Sequence, residues 1–126
     1  MAISNKRSNV KPTGGKLNTL RKKKKRDFGT DFIAVKIGEE KRKIIKTAGG
    51  NSKAKIVEVE SVNVTDPKTG KTKRTKILTV KDNPANPNYV RMNVITKGAT
   101  VETELGLVKI TSKPGQHGIM NGVLIK

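Results

Sequence analysis

"ATVETELGLVKITS", residues 99–112, alternates in side-chain character with a period of two. Val101, Thr103 and Leu105 fall on one side and Glu102 and Glu104 on the other; Gly106 interrupts the run, and Val108 and Ile110 resume it. Successive side chains of a β-strand point to opposite faces, so this alternation marks a half-buried strand, and the glycine between two such runs marks a hairpin. Residues 53–66, KAKIVEVESVNVTD, have the same texture, with Val57 and Val59 of one parity and Glu58 and Glu60 of the other. The parity then switches, because Val62 and Val64 fall in step with Ile56. A one-residue slip moves every side chain to the other face, so the switch near Glu60 and Ser61 predicts a bulge or a barrel corner.

The chain on either side is punctuated in the same way. FIAVKIG at 32–38 is a short strand, and KRKIIKTAGGN at 41–51 is a second one ending in a Gly-Gly-Asn turn. DPKTGK at 66–71 has Pro in its second place and Gly near its end, which reads as a turn leading into a returning strand, TKRTKILTVKD, at 72–82. Two Asn-Pro pairs at 83–84 and 86–87 bias the chain away from regular structure before a short helix or tight turn around 88–92. KPGQHG at 113–118 is another turn, and IMNGVLIK at 119–126 a closing strand. Val and Ile number 23 against 6 Leu, and β-branched side chains suit strands better than helices. Six or seven short strands separated by Gly and Pro predict an all-β fold: a small antiparallel barrel of about six strands.

Charge divides the chain differently. The formal net charge is +18, and residues 1–26 hold ten Lys or Arg with no Asp or Glu. Residues 1–28 read as a basic, largely extended arm, disordered when free, and residues 29–126 as the barrel domain. Leu17 and Leu20 permit a short helix within 16–26, but like charges stacked four residues apart oppose it. Unopposed charge of this size works against compaction and predicts a polyanionic partner, bound by releasing counterions from its phosphates. A membrane surface is the weaker choice, since an interfacial helix needs a broad apolar face and two leucines do not supply one.

The phosphate-binding candidates in the arm are Lys6, Arg7, Lys11, Lys16, Arg21, Lys22, Lys23, Lys24, Lys25 and Arg26, with Gly14 and Gly15 allowing close backbone approach or serving simply as a hinge. In the body they are the loop Gly49, Gly50 and Asn51 flanked by Lys46, Lys53 and Lys55, which is otherwise an ordinary turn. Lys73 and Arg74 form a basic hairpin segment, or else guard an edge strand. Phe28, Phe32 and Tyr89 are the only aromatic residues, too few for a base-stacking platform, so binding should rest on backbone charge and the shape of a folded, largely double-helical nucleic acid.

Catalysis finds no support. There is no cysteine, which removes disulfides, thiolate zinc sites and iron–sulfur clusters. His117, the single histidine, sits in a turn with no marked partner, and Glu102 and Glu104 read as a solvated strand face opposite lysines. No metal or other cofactor is expected. No apolar run is long enough to span a membrane or to serve as a signal sequence, which predicts a cytoplasmic protein.

Four segments carry a family resemblance: KPTGG at 11–15, GGNSKAK at 49–55, NPANPNYVRMNVITKGATVETELG at 83–106 and TSKPGQHGIMNGVL at 111–124. In this order they resemble the small-subunit ribosomal protein family eight-e of archaea and eukaryotes, in its short archaeal form. The resemblance implies a β-barrel body with a basic extension lying along small-subunit ribosomal RNA. It also implies neighbouring ribosomal proteins as partners, a structural role without catalysis, a ribosome-bound place in the cytoplasm, no membrane and no homo-oligomer. The chain departs from the family pattern at Ala48 and Ala54, where a basic residue is often found, and at His117, where Asp is usual. From the residues alone, the alternative is a general architectural DNA- or RNA-binding protein, although the Lys-rich arm lacks the apolar wedge such proteins insert.

Overall fold

The computed structural model describes residues 7–18, 21, 22 and 24–125, with backbone only at Lys25. The chain divides into two compact units, Met1–Phe32 and Ile33–Lys126.

In the first unit, Val10 bridges antiparallel to Lys16 around a tight turn. The Lys11 amide donates to the Gly15 carbonyl at 2.7 Å and the Gly14 amide to the Lys11 carbonyl at 2.9 Å. Gly14 has φ +83°, a left-handed conformation that side chains with a Cβ resist, so Gly-Gly here closes a turn. A single 3-10 turn, Lys25–Asp27, follows, and the Asp27 carboxylate accepts from the Lys24 amide at 3.0 Å. The described residues within 16–26 contain no α-helix; Leu20, half of the expected apolar pair, lies outside them.

The second unit is all-β apart from two short helical turns, the 3-10 turn Ala48–Gly50 and the α-helical turn Asn88–Arg91, as the sequence predicts. Its elements are β1 (Val35–Ile37), β2 (Lys41–Lys46), β3 (Ser52–Val59), β4 (Ser61–Thr65), β5 (Thr72–Asp82), α1 (Asn88–Arg91), β6 (Val94–Ile95), β7 (Thr100–Thr103), β8 (Gly106–Ile110) and β9 (Asn121–Leu124). Strands β4, β5, β7, β8 and β9 close into a barrel, while β2, β3, β1 and β6, in that order, form a separate four-stranded sheet. The barrel thus has five strands rather than about six, and it is not wholly antiparallel. It closes through a parallel pairing of β4 with β9, and β1 also runs parallel to β3. Parallel partners are far apart in sequence and joined by long crossovers, so alternation within a strand carries no sign of them.

The parity switch falls at the junction of the two sheets. β3 ends at Val59, β4 begins at Ser61, and the Glu60 carbonyl between them accepts from the Ile77 amide at 2.9 Å. Residues 99–112 form the expected hairpin, with Thr103 opposite Gly106 and only Glu104 and Leu105 between. Leu105 is 46% exposed at this tip instead of joining Val101 and Thr103 inside. Val62, Val64, Ile77, Val80, Val101, Val108 and Ile110 fill the barrel, and Val35, Ile56, Val59, Ile95 and Met120 continue the same core. The interior leaves no room at Gly122, where a Cβ would stand 2.4 Å from the Val108 Cγ1.

Candidate nucleic-acid interface

The β2–β3 hairpin carries a cluster of basic residues: Lys41, Arg42, Lys43, Lys46, Lys53 and Lys55. At its tip the Thr47 amide donates to the Asn51 carbonyl at 2.7 Å, and the Asn51 side-chain amide donates to the Ala48 carbonyl at 3.2 Å. Gly49 and Gly50 have φ of +73° and +74°, which explains the paired glycines. The register sets Lys43 opposite Lys55, Ile45 opposite Lys53 and Lys46 opposite Ser52. Like charges directly opposite one another cost stability, so the hairpin keeps lysines where folding alone would not put them. Lys41, Lys43, Lys46 and Lys53 are exposed. Lys55 is only 5% exposed and makes no ion pair among the described residues.

The acids of the barrel are used elsewhere. Lys76 lies 2.8 Å from Glu60, and Lys81 lies 3.0 Å from Glu102. The hydrogen bond and charge of Lys76 hold the Glu60 carboxyl below the usual carboxylate range, and Glu60 in turn keeps the Lys76 ammonium above its usual value. Glu102 is likewise lowered, first by the hydrogen bond from Lys81 and then by the one from the Thr79 hydroxyl. Carboxylates therefore neutralise Lys76 and Lys81 of β5, while all the lysines of β2 and β3, like Lys73 and Lys109 of the barrel, are without ion-pair partners among the described residues.

Glu40 is the exception on the basic side. It accepts from the Arg42 guanidinium and, at 3.3 Å, from that of Arg74, whose Nε also donates to the Ser61 hydroxyl at 2.8 Å. Lys73 and Arg74, adjacent in β5, point to opposite faces, so only Arg74 joins this cluster. Lys73 instead lines a cavity of about 270 Å³ with Val64 and Leu105. Lys41 and Lys43 on one face of the hairpin and Arg42 on the other add to its basic residues but were not singled out from the sequence. Their significance comes from cross-strand register, which pairing alone supplies.

In the first unit Arg7, Lys11, Gly14, Gly15, Lys16, Arg21, Lys22, Lys24 and Arg26 are all exposed. Lys6 and Lys23, and the side chain of Lys25, lie outside the described residues. Among the described residues no three His, Cys, Asp or Glu side chains gather as a metal would require, and no helix is long and apolar enough to cross a membrane.

A small closed barrel, a basic arm and a lysine-rich hairpin define the class: a basic, almost all-β protein. The chain belongs to the ribosomal protein S8e family, whose model matches residues 4–125. This is a family of ribosomal proteins and not of enzymes. The chain is 50% identical to the small ribosomal subunit protein eS8 of Methanocella arvoryzae over 119 residues, covering 94% of this chain and 95% of that one. It is 46% identical to the protein of the same name from Methanobrevibacter smithii over 125 residues, covering 99% of this chain and 100% of its relative.

Proposed function

We propose that the chain is a structural constituent of the small ribosomal subunit that binds ribosomal RNA through phosphate contacts from its arm and its β2–β3 hairpin. The observation that carries this is the segregation of charge. Lys41, Lys43, Lys46, Lys53 and Lys55 stand on one hairpin without ion-pair partners among the described residues, although the same fold pairs Lys76 and Lys81 with carboxylates. Lys43 facing Lys55 across the strands is an arrangement that stability alone would not select. Lysine placed on phosphate releases condensed counterions, and that release drives association.

The arm, residues 1–28, supplies ten further cations and orders on the RNA, while residues 29–126 act as an independently folded anchor. The names of the relatives support a place on the small subunit, hence a ribosome-bound protein in the cytoplasm among other ribosomal proteins; a structural role there calls for no catalytic step, no membrane and no self-association. The test is binding to small-subunit ribosomal RNA in near-physiological salt with excess transfer RNA and duplex DNA as competitors. Retained binding is expected. Complete loss to either competitor would favour a general architectural nucleic-acid protein.

A further inference from the structure

A groove runs beneath the even-numbered face of the β2–β3 hairpin, walled on its far side by residues 112–121. Its wide compartment, about 530 Å³, is lined by Ser52, Lys53, Ser112, Gln116, His117 and Asn121. A narrower compartment of about 250 Å³, reaching Arg42, Arg74, Ser61 and Asn63, shares Gly118 and Ile119 with the first. Gly118 forms the saddle between them, packed so closely that a Cβ there would come within 2.9 Å of the Ala54 Cβ.

The two compartments differ in chemistry. The narrow one presents two guanidinia held by a single carboxylate, Glu40, which leaves a net positive charge and most of their N–H donors free. Arginine forks suit phosphate oxygens. The wide one presents, beside Lys53, side-chain hydrogen-bonding groups: the Gln116 amide, the His117 ring and the Asn121 Nδ2, none with a hydrogen-bond partner among the described residues. The other end of Asn121 is fixed, its Oδ1 accepting from the Asn63 side-chain amide at 3.1 Å. Ile119, 55% exposed, adds an apolar surface at the saddle.

Amides and an imidazole on an apolar floor recognise the edge and face of a nucleobase, and adjoining guanidinia recognise its phosphate. The wide compartment falls in the range of about 300–1,000 Å³ usual for small-ligand pockets. A duplex, whose bases are stacked inside and whose outer surface is convex, does not enter such a concavity. We propose that this groove seats one unpaired nucleotide of a bound RNA, its base among Ser52, Gln116, His117 and Asn121 and its phosphate against Arg42 and Arg74. The inference rests on the RNA-binding function above and adds a base-specific contact to a surface otherwise read as sensitive to charge alone.

The test is heteronuclear NMR on the full chain, titrated with a short single-stranded oligoribonucleotide and separately with the same strand annealed to its complement. The single strand is expected to shift the resonances of Gln116, His117 and Asn121, while the duplex shifts only lysines and arginines of the arm and hairpin. A variant carrying Gln116→Ala and His117→Ala, both exposed and with side chains that make no hydrogen bond among the described residues, should lose about tenfold in single-strand affinity and keep its duplex affinity. If the basic residues shift with either RNA but the groove stays silent, or if the double variant binds the single strand like the parent chain, the nucleotide seat is refuted and the RNA-binding function stands. If neither RNA perturbs any residue, both fall.

Discussion

Replacing Lys43, Lys46 and Lys53 together by Ala tests the charge segregation directly. All three are exposed and make no ion pair among the described residues, and Lys43 faces Lys55 across the hairpin. Their removal relieves repulsion, so the fold should be retained, exposed substitutions of this kind lying within about 0.5 kcal/mol. If each lysine occupies one phosphate, the slope of log affinity against log salt should flatten by about 0.7–0.9 per residue, or roughly two to three units in all. Over the fourfold rise from 50 to 200 mM salt, the parent chain should then lose about 30-fold more affinity for small-subunit ribosomal RNA than the variant. The control is Lys76→Ala with Lys81→Ala. These ammonium groups already lie 2.8 and 3.0 Å from Glu60 and Glu102, so they have little capacity to displace counterions from RNA. Filter binding or fluorescence anisotropy across a salt series measures both slopes. Equal flattening by the two variants, or none by the triple variant, would refute the claim that unpaired lysines mark the interface.

Gly122→Ala should destabilise the barrel by about 3 kcal/mol, the upper part of the usual overpacking range, because its Cβ would lie 2.4 Å from the buried Val108 Cγ1 and 3.0 Å from the Lys109 carbonyl oxygen; urea denaturation followed by circular dichroism reads the loss. Thr75→Val should raise stability by about 1 kcal/mol in the same assay, since the buried Thr75 hydroxyl has no hydrogen-bond partner and a methyl group would remove that unmet need. The pairs on β4, β5 and β7 set a weak pH dependence. Glu60 and Glu102 are lowered from 4.5 on folding, so their contribution is present above that pH and is lost as pH falls through their depressed folded values. Lys76 is raised from 10.5, so its contribution holds below that pH and is lost as pH climbs through the raised value. A chain carrying Glu60→Gln and Glu102→Gln should show a shallower acid limb of thermal stability than the parent, and identical limbs would show that these exposed pairs contribute nothing measurable.

Much of this protein is written in local pattern. Alternation in 53–66 and 99–112 determined the strands, because side-chain direction in a strand depends only on neighbouring residues. The parity slip at Glu60 located the passage between two sheets, and Gly49, Gly50 and Asn51 located the turn that the left-handed backbone requires. Ten unopposed cations in 26 residues likewise make the expectation of a polyanionic partner legible without reference to any fold. Tertiary structure decided what depends on residues distant in the chain. The parallel closure of β4 on β9 joins Asn63 to Asn121, and no periodicity links them. The register of β2 with β3 set Lys43 against Lys55, left Arg42 on the opposite face of the hairpin, and buried Lys55. Adjacent positions in β5 parted Lys73 from Arg74, and Glu40 drew Arg74 toward Arg42 instead. His117, an unremarkable turn residue in the sequence, became a groove wall because residues 112–121 fold back over Ala54. Charge and alternation are properties of composition and near neighbours, whereas a site is made by strand pairing, which brings together residues separated by tens of positions.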